Sequence, residues 1–153
     1  MDIEITPELH LHHGPLPPER VSQVLAAWAK DSRIGGVTSF AGVVRADETE
    51  EGKVSSIEFS AYEEMAEPGI RAMAQRIAQE VAEKHGGPIR LYAEHALGPV
   101  RVGEIPIVIV AGAGHRPGAF DLCRSVLEAL KSEIPIYGKE LLEDSGHRWK
   151  ENR

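Results

Sequence analysis

The chain has 153 residues, of which 42% are hydrophobic, and its formal net charge is −7. These values are typical of a single globular domain that buries its own core, so we expect one domain over residues 1–153. The negative charge argues against a nucleic-acid binder, no apolar run is long enough to span a membrane, and the amino terminus lacks the pattern of a signal peptide. The single cysteine, Cys123, excludes an internal disulfide, and we expect a cytoplasmic protein.

The first half of the chain predicts short strands around one helix. Apolar residues that alternate with polar ones indicate half-buried strands, whereas apolar residues at three- and four-residue spacing indicate a helix. We expect, in order, an edge strand at residues 3–5, a loop at 10–18, a helix at 18–30, a β-branched strand at 37–44, an acidic loop at 46–53 and a strand at 57–61.

The second half predicts two more helices and a strand that is covered on both faces. The second helix carries an apolar stripe and ends at His85-Gly86-Gly87. After it we expect a strand at 89–93, a turn at 98–103, a nearly all-apolar strand at 105–113 and a third helix with Phe120, Cys123, Leu127 and Leu130 facing inward, stopped by Pro135 before a last short strand. This order predicts a mixed sheet with packed helices, an α/β or α+β domain.

Cationic residues bracket the third helix. At its start, the sequence Gly114-His115-Arg116-Pro117 follows a buried strand, and the unpaired N–H groups of a helix start attract anions. Arg116 can bind a phosphate through two N–H groups, and His115 can donate a hydrogen bond or transfer a proton. The alternative is a surface turn with two solvated cations.

Three further cations are candidates for the site, and Lys131 and Arg45 also have a purely structural interpretation. Lys131 lies in the last turn of the third helix, where it is either an active-site lysine or a partner of the helix dipole. Lys139 follows in the last strand. Arg45 ends a strand beside the acidic loop and either binds an anion or pairs with Asp47 or Glu48.

The remaining reactive side chains do not indicate a metal site or a nucleophile. His10, His12 and His13 cluster in a terminal segment without a matching set of carboxylates or cysteines, so we expect no metal site there. Cys123 lies on the apolar side of its helix, which favours a core residue over a nucleophile.

The length of the third helix limits how its cations can cooperate. Arg116 and Lys131 lie at opposite ends, and a helix of this length spans about 21 Å. They therefore serve separate sites, or a second subunit supplies His115 and Arg116 to the Lys131 of the first. A two-fold dimer would then contain two shared sites.

Several segments together resemble the large, catalytic subunit of molybdopterin synthase. The resemblance runs from about Gly35 to Arg148 and rests on the order and spacing of five pieces. These are Phe40-Ala41-Gly42-Val43-Val44-Arg45, Gly114-His115-Arg116 with Ala119-Phe120, Leu130-Lys131, Pro135-Ile136-Tyr137-Gly138-Lys139-Glu140 and His147-Arg148-Trp149.

The resemblance implies an α/β hammerhead core with a small additional β subdomain. It also implies a homodimer at the centre of a heterotetramer, whose small ubiquitin-like subunits carry sulfur as a C-terminal thiocarboxylate. The substrate would be cyclic pyranopterin monophosphate and the product molybdopterin, the dithiolene of molybdenum cofactor biosynthesis. Because the sulfur arrives on the partner, no cofactor or metal is expected for this step.

The resemblance also implies a set of site residues. Lys131 matches the family's essential lysine, and Lys139 is the candidate for a second one. The implied substrate-binding positions are Val43, Val44, Arg45, His115, Arg116, Lys131, Gly138, Lys139, Glu140 and Arg148, with the tail at 141–153 contributing to the site.

One position departs from the family pattern. Many members have a lysine where this chain has Gly138, and we expect Lys139 to take over if the glycine bulges the strand and turns the next side chain inward. This departure leaves two rival interpretations open. One is a homologue that binds the ubiquitin-like partner without catalysis, and the other is an independent phosphate- or nucleotide-binding domain.

Overall fold

The structure is a computed structural model, and it describes residues 5–143 and 146–149. Three helices and eight strands follow one another within these ranges. The order is β1 (Ile5–His13), α1 (Arg20–Trp28), β2 (Gly36–Gly42), β3 (Glu48–Thr49), β4 (Gly52–Ala61), α2 (Glu63–His85), β5 (Ile89–Arg101), β6 (Ile107–Ala113), α3 (Arg116–Glu133), β7 (Ile136–Leu142) and β8 (His147–Trp149). None of these helices is both long and apolar enough to cross a bilayer.

The long strand β5 connects two parts of one sheet. Residues 89–97 pair with β1 in parallel, residues 89–95 pair with β6 in antiparallel, and residues 98–101 pair with β4 in antiparallel. Gly98 has a φ of +88°, which favours glycine, at the point where β5 changes partners. The strand order is β2-β6-β5-β4-β7-β8, with β1 beside β5 and β3 beside β4. The expected mixed sheet with three helices is confirmed.

Two apolar cores lie on opposite faces of the sheet. On one face, α2 and α3 cover side chains of β5 and β6, including Leu91 and Ile109 beneath Leu122. On the other face, Trp28 of α1 packs with Val110 and with side chains of β4. All seven residues of β6 are buried, as the apolar run at 105–113 predicts.

Four predictions about local structure are wrong. Residues 10–13 extend β1, because nine backbone positions pair with β5 regardless of the polar histidines. The predicted turn at 98–103 starts as strand, since residues 98–101 pair with β4. The acidic loop contains a short hairpin between β3 and β4. Phe120 is 60% exposed, because α3 buries the neighbouring stripe through Ala119, Leu122 and Val126.

A side-chain contact ties α2 to α3. Asp121 accepts a hydrogen bond from His85 Nε2 at 3.0 Å and one from Ser125 Oγ at 3.2 Å. The bond from His85 is the largest cause that lowers the pKa of Asp121, and Ser125 and Lys84 act in the same direction against partial burial. Each of these contacts favours the ionised carboxyl group in the folded state.

Asp121→Asn is expected to lower the free energy of unfolding at pH 7 by about 0.5–1 kcal/mol, discounted for solvent screening. The folded pKa is depressed, so the stabilisation is present above the unfolded value, which is about 4, and disappears as the pH falls through the folded value. Urea denaturation of both proteins at pH 7 and pH 3 measures this. An equal difference at both pH values would contradict the expectation.

Candidate functional site

A large cleft opens beyond the C-terminal end of α3, where the helix-covered face of the sheet continues without a helix above it. Its volume is about 1120 Å³. Apolar walls come from Phe40, Ile57, Phe59, Ile107, Leu130 and Ile136. In the part of the chain that the structure describes, the ionisable side chains that line it are Arg45, Asp47, Glu48, Glu50, His95, Lys131 and Glu140.

Lys131 reaches this cleft from the last turn of α3. Leu130 beside it is 5% exposed and anchors the turn in the core, while Lys131 lies on the exposed side. A lysine there also complements the negative end of the helix dipole. Both interpretations of Lys131 therefore have a structural basis, and only the catalytic one uses the cleft.

Arg45 enters the cleft from the segment that follows β2. Val43 and Val44 line the cleft beside it, with Val44 buried and its N–H bonded to the carbonyl of Glu104 at 3.0 Å. The Arg45 guanidinium pairs with Asp47, with Nε 2.9 Å from Oδ1. The predicted ion pair is confirmed, but Arg45 is 84% exposed, so the pair contributes less than about 1 kcal/mol. An anion in the cleft can compete for the guanidinium.

Strand β7 presents Gly138 and Glu140 to the cleft and turns Lys139 away. Neighbouring strand residues face opposite sides, and Lys139 is paired with Glu58 and Trp149, whose side chains are exposed. The irregularity between β4 and β7 lies between Val54 and Ser56, not at the glycine. The expected bulge at Gly138 is therefore absent, and Lys139 does not line the cleft.

Gly138 fits closely against the opposite strand. A Cβ built on it would lie 3.0 Å from Cγ2 of Ile57 and 3.3 Å from Cε1 of Phe59. Such distances are tighter than ordinary van der Waals contact, so a larger residue would have to displace both neighbours. The absence of a lysine at this position agrees with the local packing.

His115 and Arg116 lie at the other end of α3, away from the cleft of their own chain. Both are exposed, and His115 precedes the helix in extended conformation, with φ −135° and ψ 154°. Arg116 and Lys131 are fifteen positions apart along α3, or about 22 Å at 1.5 Å per residue. A single chain thus brings Lys131 together with Arg45 but does not add His115 or Arg116.

Comparison with known proteins identifies the family. Residues 12–133 match the family model described as MoaE protein. A Synechococcus elongatus protein named molybdopterin synthase catalytic subunit is 33% identical over 143 residues, covering 93% of this chain and 81% of that protein. The chain belongs to the MoaE family. The resemblance read from its sequence motifs is confirmed.

Solved structures agree with this assignment. Molybdopterin synthase from Staphylococcus aureus superposes with a TM-score of 0.72 at 28% identity, covering 97% of this chain and 96% of the other. A Helicobacter pylori chain, from a complex of subunits 1 and 2 of molybdopterin-converting factor, has a TM-score of 0.74 over 95% of this chain and 91% of the other. At 19% identity, this second likeness shows the fold alone.

The C-terminal segment of this MoaE-family chain adjoins the cleft through its backbone. Arg148 in β8 pairs with Glu140, which lines the cleft from β7. The side chain of Arg148 and residues 144–145 and 150–153 lie outside what the structure describes. The predicted contributions of Arg148 and of the tail at 141–153 therefore stay predictions.

His95 and the acidic hairpin line the cleft, although the sequence predicted no place for them in the site. His95 continues the alternation of Leu91 and Ala93, which predicts the same face of β5, but alternation does not predict that the helices stop short of it. The sequence predicts a solvated acidic loop at 46–53, which contains Asp47, Glu48 and Glu50. Only the pairing of β3 with β4 places them along the cleft.

Two minor predictions concern the remaining reactive groups. Cys123 is 5% exposed and burial raises the pKa of its thiol, which confirms a core residue. The N-terminal histidines have separate neighbours: the ring of Tyr92 for His10, the carbonyl of Gly14 for His12, and Glu63 for His13.

Lys139→Ala is expected to retain turnover within about threefold of wild type, because the side chain faces away from the cleft and surface truncations change free energies by about 0.5 kcal/mol or less. Steady-state kinetics of molybdopterin formation measures this. A loss of tenfold or more with an unchanged melting temperature would restore the second-lysine role to Lys139.

Proposed function

We propose that this chain transfers sulfur from the thiocarboxylated C-terminus of a small ubiquitin-like partner to cyclic pyranopterin monophosphate. The product is the dithiolene of molybdopterin, a step of molybdenum cofactor biosynthesis in the cytoplasm. The observation that carries the proposal is the joint placement of Lys131 and Arg45 in one cleft of a MoaE-family chain. Curated relatives named molybdopterin synthase catalytic subunit support it.

The size and composition of the cleft support two occupants. Its volume of about 1120 Å³ exceeds the roughly 300–1,000 Å³ of ordinary small-molecule pockets. The surplus leaves room for the end of a partner chain beside the pterin. Arg45 holds the phosphate, and apolar walls including Phe40 and Ile107 surround the ring system.

Each site residue then has a chemical role. Two sulfurs replace oxygen functions on the pterin side chain, and a cyclic phosphate opens. Lys131 stabilises the negative charge that develops, or captures the acyl end of the partner. Val43, Val44, Gly138 and Glu140 shape the wall around the substrate, and the tail at 141–153 adds Arg148.

The proposed assembly is a homodimer within a heterotetramer. Curated relatives at 33% and 35% identity are named as a catalytic subunit, which supports a further, different subunit as partner. The distance along α3 supports a second large subunit, because His115 and Arg116 reach a cleft only if that cleft belongs to the other copy.

Gly138 favours one rival function. Without the lysine expected at that position, the chain could bind the ubiquitin-like partner without catalysing the transfer. The tight packing around Gly138 is compatible with this second function. An independent phosphate- or nucleotide-binding domain is the third function, and Arg45 in the cleft or Arg116 at the start of α3 would bind its anion.

One reconstitution separates the three functions. The full chain is incubated with thiocarboxylated partner and cyclic pyranopterin monophosphate, and dithiolene formation and complex formation are both measured. Turnover supports the synthase. A stable complex without turnover supports the non-catalytic homologue, and the absence of both supports the phosphate-binding domain. Partner that ends in an ordinary carboxylate is the control, since it cannot donate sulfur.

A further inference from the structure

Strand β2 forms an edge of the sheet. Among the strands that the structure describes, it pairs with β6 alone and stands at the end of the strand order. Its other side presents a row of backbone N–H and C=O groups, which can pair with a further strand. Edge strands of monomeric proteins ordinarily carry charged residues or proline, which prevent such pairing, and residues 36–42 include neither. The edge of β2 is therefore suited to pair with a strand of another chain.

Apolar side chains beside this edge are exposed. Val37 on β2 is 37% exposed and Phe120 on α3 is 60% exposed. Phe120 and the half-buried Leu127 lie on the flank of α3 that adjoins β2, opposite the flank where Asp121 contacts α2. The strand edge and the helix flank thus form one continuous surface, which has a polar backbone row below and apolar side chains above.

This surface is complementary to itself under a two-fold rotation. In an antiparallel pair of β2 with a copy of β2 centred on Ser39, residue 36 of one copy lies opposite residue 42 of the other. In an antiparallel pair of α3 with its copy centred between residues 123 and 124, Phe120 lies opposite Leu127 of the other copy. The same helix alignment places Arg116 opposite Lys131 of the other copy.

One axis serves the strand and the helix together. Their first residues adjoin, because a Cβ built on Gly36 would lie 3.1 Å from Cα of Arg116, and the end of β2 lines the same cleft as Lys131 at the end of α3. The two elements therefore run in the same direction. From their common start, the centre of β2 at Ser39 is about 10 Å away. The centre of α3 is about 11 Å away.

The spacing across the axis also fits. Paired strands lie about 4.8 Å apart. Since α3 packs on both β2 and β6, its axis stands above the gap between them, about 2.4 Å inside the edge strand. Two copies of α3 would then lie about 10 Å apart, which is within the range of packed helices. Strand pairing and helix packing can therefore form at the same time.

We propose that a second copy of this chain docks on this edge, through antiparallel pairing of β2 with β2 and packing of α3 on α3. This inference rests on the homodimer of the proposed function and specifies its surface. Gly42 lines the cleft, and Gly36 of the other copy lies opposite it. Arg116, which adjoins Gly36, is thereby brought to the cleft of the other copy. The dimer crosses by symmetry the length of α3 that separates Arg116 from Lys131 in one chain.

Disulfide cross-linking tests the position of the axis. A residue on the axis meets its own copy, with Cα atoms about 4.5–5.5 Å apart, which a disulfide can bridge. Oxidised glutathione should therefore convert Ser39→Cys from the mass of one chain to the mass of two on a non-reducing gel. Ser60→Cys is the matched control, since Ser60 is equally an exposed strand serine, but β4 lies inside the sheet between β5 and β7. It should stay at the mass of one chain. The native Cys123 is buried and cannot cross-link.

A second pair of variants tests the register. Val37 and Ala41 are both exposed on β2, and the proposed register places each opposite the other across the axis. Each lies about 14 Å from its own copy, which is too far for a disulfide. After subunit exchange, a mixture of Val37→Cys with Ala41→Cys should cross-link, whereas either variant alone should not. Cross-linking of a single variant without cross-linking of the mixture would overturn the proposal.

Charge reversal tests the same contact without a covalent bond. Ser39→Lys places two ammonium groups opposite each other, so the Kd of dimerisation should rise at least about tenfold in analytical ultracentrifugation. Ser39→Glu should weaken the dimer in the same way, and a mixture of the two variants should restore it. Because the side chain of Ser39 is exposed, both variants should keep the melting temperature of a folded chain. An unchanged Kd in Ser39→Lys would overturn the proposal.

The outcomes separate this inference from the proposed function. If Ser39→Cys cross-links and wild type forms no dithiolene, the synthase function fails and the docking surface stands. If wild type turns over while Ser39→Cys stays at the mass of one chain after oxidation, the docking surface is rejected and the function stands. A wild type that is monomeric at every concentration also rejects the docking surface.

Discussion

Lys131→Ala is expected to lower the rate of dithiolene formation at least about 100-fold while the protein stays folded. Within residues 5–143 and 146–149, Lys131 is the only lysine that lines the cleft. Truncation of an exposed side chain changes the free energy of unfolding by about 0.5 kcal/mol or less. Turnover with thiocarboxylated partner, together with a thermal melt, measures both quantities.

Lys84→Ala is the matched control for this experiment. Lys84 also lies in the last turn of a helix, α2, and is exposed, but it lies outside the cleft. Like Lys131, it complements a helix dipole, but it has no access to the candidate active site. Normal turnover in Lys84→Ala beside an inactive Lys131→Ala therefore assigns the loss to the cleft. Near-normal turnover in both variants would show that Lys131 only complements the dipole of α3 and takes no part in catalysis.

The parts of the fold that local sequence determines were predictable. The all-apolar run of β6 predicts a strand covered on both faces, and the Gly86-Gly87 pair predicts the end of α2 at His85. What sequence does not specify is which strands meet. β5 runs through a predicted turn because β4 pairs with residues 98–101, and β1 includes its histidines because β5 offers a partner at every position. Both depend on contacts between residues far apart in the chain.

In the candidate site too, some residues could be predicted from local sequence and others depend on contacts between distant parts of the chain. Arg45 and Lys131 were predicted, and both line one cleft. Lys139 was misplaced because a glycine permits a bulge but does not require one, and the strand keeps regular pairing from Ile136 to Glu140. His95 was missed because the end of α3, not any local motif, opens the cleft above it.

The prediction with the widest consequence is that two inactive chains together make an active enzyme. Lys131→Ala and Arg116→Ala are each expected to be nearly inactive alone, because each removes one half of every shared site. In a mixed dimer, the cleft of the Arg116→Ala chain keeps its Lys131 and receives Arg116 from the other copy. That site is intact, and the second site of the same dimer lacks both groups.

Random exchange sets the expected size of the recovery. Equal amounts of the two variants give mixed dimers as half of the population, each with one intact site of two, so activity should reach about a quarter of wild type. The control is a mixture of Lys131→Ala with Arg45→Ala. Both changes lie in the cleft of their own chain, so no mixed dimer regains a complete site and no activity should return.

The control decides what a recovery means. If both mixtures recover equally, the gain comes from stabilised dimers and not from a site built by two chains. If neither recovers although mass spectrometry shows mixed dimers, Arg116 serves a separate site and α3 carries two independent functions at its ends. Recovery in the first mixture alone would establish that Lys131 and Arg116 act on one substrate. About 22 Å of helix separates them within a chain, so the two groups meet only because the dimer brings two copies together.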